Sequence, residues 1–390
     1  MMADVTVVVL VLSLGLCAYV YVGYPLLLVM LGAVLRRDVQ KQDMTPFLSV
    51  IIPAHNEERV IAEKLQNTLE LNYPTHRRTI IVASDGSTDA TEEIVSRYET
   101  RGVRLLRLPR RGKAAALNAA VAEASGELVV FTDANALLER HALRRLVSPF
   151  ADRQVGGVCG HQQYRMVDGG DSARQGESLY WTYDTWIKRL ESRLGSTYAA
   201  DGSLYAIRRS LVLPLVDPAQ ADDLAISARV VTQGARLVFE PAAISYEDPP
   251  AAIEQEFWRK VRVATQTWRG MLLLRDAMNP WRHGFYSLVF LSHQVLRYLV
   301  PFALPVVLAA NAALASRSGA YQLLLVGQLL CYGCAAVGWA LRRSRWGRFP
   351  LFYGPLYFCV ANIAVFLGAC WWVRGDRIVT WQPQRELVQT

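Results

Sequence analysis

Hydrophobic and polar positions divide the chain into an apolar start, a mixed middle and an apolar end. Residues 5–35 carry no charge, and Arg36-Arg37 follow at once. A helix needs about 20 apolar residues to cross a bilayer, and cations mark its cytoplasmic end. A cleaved signal peptide would carry its basic residues before the apolar run. An uncleaved anchor is therefore expected, with its N-terminus outside. Residues 298–316, 320–341 and 349–373 are also uncharged, each about one span long. Arg342-Arg343-Ser344-Arg345-Trp346-Gly347-Arg348, between the last two, puts four Arg in seven residues and should be cytoplasmic. One span before the middle and three after it place that loop and the middle on the same, inner side. Residues 281–297 mix Trp281, Arg282, His293 and Arg297 with apolar positions. They suit a helix lying in the interface, or the start of a longer second span. The expected organisation is an anchor at 1–36, a catalytic domain at 37–280, the interfacial helix at 281–297, three transmembrane helices at 298–373 and a tail at 374–390.

The middle alternates apolar strands with amphipathic helices. Strands are predicted at 48–52 (closed by Pro53), 79–83, 103–107 and 128–132. Helices are predicted at 58–69, from a Ser87 N-cap to about Tyr98, and at 113–124. Such alternation predicts an α/β fold with a doubly wound, mostly parallel sheet.

Composition refines this outline. Hydrophobic residues make up 52% of the chain, concentrated at its ends. The net charge of +8 lies largely beside the apolar spans, as membrane topology requires, so no nucleic-acid partner is expected. Five of the six cysteines sit in apolar spans, and Cys331 and Cys334 lack the second pair that would complete a metal site.

In a doubly wound sheet, ligands bind beyond the carboxyl ends of the strands. Three polar clusters fall there in succession: Pro53-Ala54-His55-Asn56-Glu57, Ser84-Asp85-Gly86-Ser87-Thr88-Asp89 and Asp133-Ala134-Asn135. Asp85 suits the imide N–H of a uracil ring, and Gly86 and Ser87 permit close backbone approach. Asp133 and Asn135 suit a divalent cation completed by pyrophosphate oxygens, and Lys113 adds charge to the same phosphates. Asn118 suits a helix-fixing role. Asp222-Asp223 suits a base for an acceptor hydroxyl and equally helix N-terminal capping. Phe257-Trp258-Arg259-Lys260-Val261-Arg262 offers cations for a departing diphosphate, or a charge run facing the membrane.

In this order the clusters resemble glycosyltransferase family 2, in particular its membrane-bound cellulose, hyaluronan and poly-N-acetylglucosamine synthases. The resemblance also covers Gly112-Lys113, Ala116-Leu117-Asn118 and Asp201-Gly202-Ser203-Leu204-Tyr205-Ala206-Ile207-Arg208. It implies a GT-A fold, an inverting single displacement, and a nucleotide-sugar donor, uridine-linked by analogy. The acceptor would be lipid-linked or a saccharide, with membrane lipids around the spans. Asp223 would be the catalytic base, assisted by Arg262. Pro53, Ala54, Asn56, Glu57, Asp85, Ser87, Lys113, Asp133, Asp222 and Lys260 would bind substrate, and Asp133 and Asn135 would hold Mg2+ or Mn2+. The implied location is a bacterial inner membrane, with the catalytic domain in the cytoplasm. Two departures stand out. The D-x-D motif ends in Asn135, a neutral ligand. The Q-x-x-R-W motif of processive synthases reads Arg259-Lys260-Val261-Arg262-Val263, without the Trp that underlies the acceptor sugar. A non-processive transferase is therefore favoured over a polymer synthase or a nucleotide-sugar-binding subunit without activity.

Overall fold

The computed structural model describes residues 2–165, 172–248, 252–342 and 344–379. Arg343 of the basic loop and the tail beyond 379 lie outside them. The first apolar helix joins α1 (Met2–Ala18) to α2 (Tyr24–Val34) through a π-helical segment, Tyr19–Gly23. The catalytic domain then alternates as its sequence predicts. β1 (Leu48–Ala54), α3 (Ile61–Glu70), β2 (Arg78–Asp85), α4 (Thr91–Ser96), β3 (Val103–Leu108), α5 (Lys113–Ala122) and β4 (Leu128–Phe131) follow in order. Next come β5 (Leu137–Leu138), α6 (Ala142–Val147), β6 (Val155–Tyr164), α7 (Ser172–Leu194), β7 (Tyr205–Arg208), α8 (Asp222–Thr232), β8 (Arg236–Glu247) and α9 (Ile253–Leu273).

The eight strands form one sheet in the order β3-β2-β1-β4-β7-β6-β8-β5. β1 pairs in parallel with β2 and β4, and β2 with β3. β7 runs antiparallel to β4 and β6, while β6 and β8 are parallel. All seven residues of β1 are buried, which is why its sequence is apolar at every position but Ser49 instead of alternating. Leu48, Val50 and Ile52 pack into one core layer and Ile51 into the other, each worth about 1.5–3 kcal/mol of burial. Because β1, β2 and β4 are adjacent and parallel, the three polar clusters emerge from the same edge.

Two boundaries differ from the sequence reading. Ser87 does not cap α4. Ala90 holds the N-cap position, and the Asp89 carboxylate before it accepts from the Thr91 backbone N–H at 3.0 Å. Residues 281–297 divide at Gly284. A short helix α10 (Pro280–His283) precedes it, and α11 (Phe285–Val289), a π-helical segment (Phe290–Leu296) and α12 (Arg297–Leu314) follow as one rod. α13 (Gly319–Ala340) and α14 (Pro350–Val373) complete the described chain. Among the described residues, four helices are long and apolar enough to cross a membrane: Val5–Val34, Phe285–Leu314, Gly319–Ala340 and Pro350–Val373. The domain does not hang loosely from them. Leu224 and Ala228 of α8, Ala264 and Met271 of α9, and Val289 and Phe290 of the second apolar helix share one core.

Candidate active site

A cavity of about 1190 Å³ opens at the carboxyl ends of β1 and β4. Pro53, Glu57, Lys113, Asp133, Asn135 and Asp222 line it, together with Asp223, Lys260 and Arg262. The fold thus collects nine of the expected site residues from five separate stretches of chain.

The remaining four stand behind its wall. Ala54 is fully buried in β1. Asn56, with a left-handed φ of 54°, accepts from Thr88 N at 2.8 Å, and Ser87 Oγ accepts from Asn56 N at 3.2 Å. These two stitch the first loop to the second. Asp85 is fully buried, and its carboxylate accepts from Arg111 N at 2.7 Å and Gly112 N at 2.9 Å. Both oxygens are thus spent on the 110–112 loop, and Asp85 shapes the loop before Lys113 instead of facing the cavity. Gly86 needs its φ of 62° there, since a Cβ would meet Arg110 N at 2.8 Å.

At the centre, the Lys113 ammonium lies 2.9 Å from Asp133 Oδ1 and 3.1 Å from Asp222 Oδ2. Burial alone would lower the Lys113 pKa, but Asp133 and Asp222 hold it above its ordinary value. Asp223 behaves oppositely. Burial, and next the neighbouring Asp222 charge, raise its carboxyl to about 7, against a smaller downward pull from Lys113. A carboxylate that takes up a proton near neutrality is suited to general-base work. Asp223 also sits in the first turn of α8 and accepts from Leu224 N at 2.7 Å, so the capping and basic roles coexist. Gly202 forms the floor between the acids: a Cβ there would meet Asp133 Oδ2 at 3.1 Å and Asp223 Oδ2 at 3.7 Å.

The cations divide by partner. Glu256 accepts from Arg259 and Lys260 at 2.6 and 2.7 Å, and they hold its carboxyl down at about 2 against the upward push of burial. Arg262 pairs with no carboxylate among the described residues. It borders the cavity, and burial and next the Arg259 charge lower its pKa against an opposing pull from Asp133 and Asp222. Val263 lines the cavity beside it.

Three supporting residues escaped sequence reading. Lys64 is fully buried, and its ammonium donates to Thr132 Oγ1 at 2.7 Å and Ala136 O at 2.5 Å, clamping the turn that carries Asp133 and Asn135. Lys188, almost fully buried, holds Asp201 at 2.6 Å and Asp184 at 3.1 Å. It thereby fixes the strand-entry loop containing Gly202. Asp184 in turn contacts His293 Nε2 at 3.2 Å in the second apolar helix. A lysine in an amphipathic helix carries no signal of its tertiary partner, so none of these contacts was legible. Asn118 does what the sequence suggested: its amide donates to Leu215 O and accepts from Leu215 N, at 2.9 and 2.8 Å.

The described residues contain no group of three or more His, Cys, Asp or Glu placed to hold a metal ion. Asp133 and Asn135 offer one carboxylate and one amide oxygen. That set fits an ion brought in with a diphosphate, which supplies the missing hard oxygens. The cavity also extends between the apolar helices, where Tyr21, Ser292, Gln294, Phe358 and Asn362 line it.

Known proteins are similar to parts of this chain. Residues 49–214 match the family model described as Glycosyl transferase family 2. The Bacillus subtilis (strain 168) protein named "Probable glycosyltransferase YdaM" is 32% identical over 230 residues, 55% of this chain and 53% of that protein. The poly-β-1,6-N-acetyl-D-glucosamine synthase of Staphylococcus aureus (strain COL) is 26% identical over 255 residues, 62% of this chain and 60% of its own. The chain thus spans little more than half the length of these curated relatives. A solved mannosyltransferase from Pyrobaculum calidifontis, in complex with GDP-Man and Mn2+, aligns over 95% of this chain and 100% of its own, with 26% identity and a TM-score of 0.71.

Proposed function

We propose that this chain, whose residues 49–214 belong to glycosyltransferase family 2, transfers a sugar from a nucleotide-sugar to a hydroxyl of a lipid-linked or saccharide acceptor, with inversion, at the cytoplasmic face of a membrane. The observation that carries this reading is Asp223: a carboxyl raised to about 7, on the cavity wall, across Gly202 from Asp133. The acceptor oxygen attacks the anomeric carbon, Asp223 takes the hydroxyl proton, and the bond from that carbon to the phosphate oxygen breaks. The nucleoside diphosphate leaves with the bonding electrons. Arg262 and Lys113 stabilise its charge, as preorganised cations do in a water-poor site. Asp133 and Asn135 would hold a divalent cation against the diphosphate, and that ion supplies Lewis-acid stabilisation of the leaving group.

The resemblance to the synthases favours a uridine-linked donor. The mannosyltransferase solved with GDP-Man makes a guanosine-linked one its competitor. The cavity's extension between the apolar helices favours a lipid-linked acceptor. Arg259 and Val263, both at the cavity, stand where processive synthases have Gln and Trp, which favours single transfer. The basic residues flanking the first and third apolar helices favour the inner face.

The test is nucleotide release by the purified protein from UDP- and GDP-linked sugars, with native lipid extract as acceptor, in Mn2+ or in EDTA. Donor- and acceptor-dependent release, lost in Asp223→Asn, is expected. Full transfer by a folded Asp223→Asn protein overturns the base assignment.

A further inference from the structure

We propose that the fourth apolar helix, α14, lies along the membrane surface on the catalytic-domain side instead of crossing the bilayer. Its partner is the acyl layer of that leaflet, and the C-terminus therefore shares the side of the catalytic domain.

The first ground is depth. α14 runs beside α9 for most of its length. Leu356 and Val360 pack on Ile253, and the Lys260 ammonium lies 5.2 Å over the Tyr357 ring. Gly368 meets α9 so closely that a Cβ would approach Ala264 Cβ to 2.6 Å. Trp372 stacks on Trp268 at 5.9 Å. From Leu356 to Trp372 the helix extends about 24 Å, at about 1.5 Å per residue. α9 carries Glu254, Glu256, Arg259, Lys260, Arg262 and Arg269 along the same stretch. Standing α14 upright in hydrocarbon would carry α9 and its charges with it, which the bilayer interior penalises.

The second ground is the two ends. Before α14, Arg342 donates to Glu254 at 3.0 Å. After it, Gln266 Nε2 donates to Ile378 O at 3.0 Å, Arg377 lies 3.4 Å from Asp217, and Val379 packs on Gly112. Both ends are tied to the catalytic domain, whereas a crossing helix would part them by the full bilayer. The third ground is composition. α14 is apolar all round, yet Leu351, Ile363, Phe366 and Val373 are left exposed while α9 packs along it and α13 meets it at Gly338 against Phe352 and Leu356. Such a helix needs protein on one side and lipid on the other. Three crossings by the first three apolar helices then return the chain to the domain's side.

Single cysteines at Asp38→Cys, Ser318→Cys and Gln384→Cys, in sealed vesicles treated with a membrane-impermeant maleimide, test this. Asp38→Cys and Gln384→Cys are expected to react on one side, and Ser318→Cys on the other. Gln384→Cys reacting together with Ser318→Cys overturns the proposal. Spin labels at Ile363→Cys and Val373→Cys give a second measure. Equal depth supports an in-plane helix, and a difference of about 15 Å, the rise of ten helical residues, overturns it. Neither result depends on the sugar being transferred.

Discussion

Asp223 is the base in the proposed transfer, and its environment makes two predictions. Asp223→Asn should lower the transfer rate by a factor of about 10² to 10⁴, the usual worth of a positioned general base, with the nucleotide-sugar KM little changed. In the unmodified protein kcat/KM should rise through an acidic limb near pH 7, because only the deprotonated carboxyl accepts a proton and its pKa is about 7. The same shift fixes the sign of a stability effect. The folded state holds this proton more tightly than the unfolded chain, whose carboxyl titrates near about 3.9. Stability therefore declines as pH rises from about 4 to 7, and Asp223→Asn should lose less melting temperature across that window. Gly202 yields a further prediction. A Cβ there would press on Asp133 Oδ2 at 3.1 Å, so Gly202→Ala should weaken transfer and the response to Mn2+ more than it changes the melting temperature. The Asp-Asp pair and Asp133 were legible as residues with a chemical use. Their mutual distances were not, because Lys113, Asp133 and Asp222 lie 20 and 89 positions apart and only the sheet brings them together.

Among the elements, the first four strands were readable: burial on both faces makes β1, β2 and β4 largely apolar runs, and the edge strand β3 keeps Val103, Leu105, Leu106 and Leu108 around its two Arg. β6, β7 and β8 were missed. β6 contains Gly156, Gly157 and Gly160 with polar His161 and Gln162, and β8 contains Pro241. Such strands lack a period-2 signal and are specified by the neighbours they pair with. The helix α9 shows the same limit. Its sequence reads as a charge run, yet one face binds α14 through tryptophan stacking. Trp268→Ala removes contacts with Trp372, Tyr298 and Phe302 and should cost about 3 kcal/mol, seen as a lower melting temperature in detergent. Val263→Trp, on the cavity side of α9, should slow transfer by crowding the acceptor space without lengthening the product, read from product size.

For the molecule as a whole, the catalytic domain and the apolar helices share a core. Tyr24 of the first apolar helix donates to Glu191 at 2.7 Å, and Glu191 meets His293 of the second at 2.7 Å. Such buried carboxylates are tolerable only with partners on hand, so membrane and domain segments specify each other. The sequence by itself determined the apolar ends, the parallel α/β core, the likeness of residues 49–214 to glycosyltransferase family 2 and most of the residues around the cavity. Those properties depend on periodicity and on side-chain chemistry at fixed strand ends, both of which are local. Only the tertiary structure decided that Asp85, Asn56 and Ser87 bond to neighbouring loops, that Lys64 and Lys188 hold the turns carrying Asp133 and Gly202, and that α14 is bound along α9. Hydropathy counts apolar residues without regard to direction, and direction is set by packing between segments that are remote in the chain.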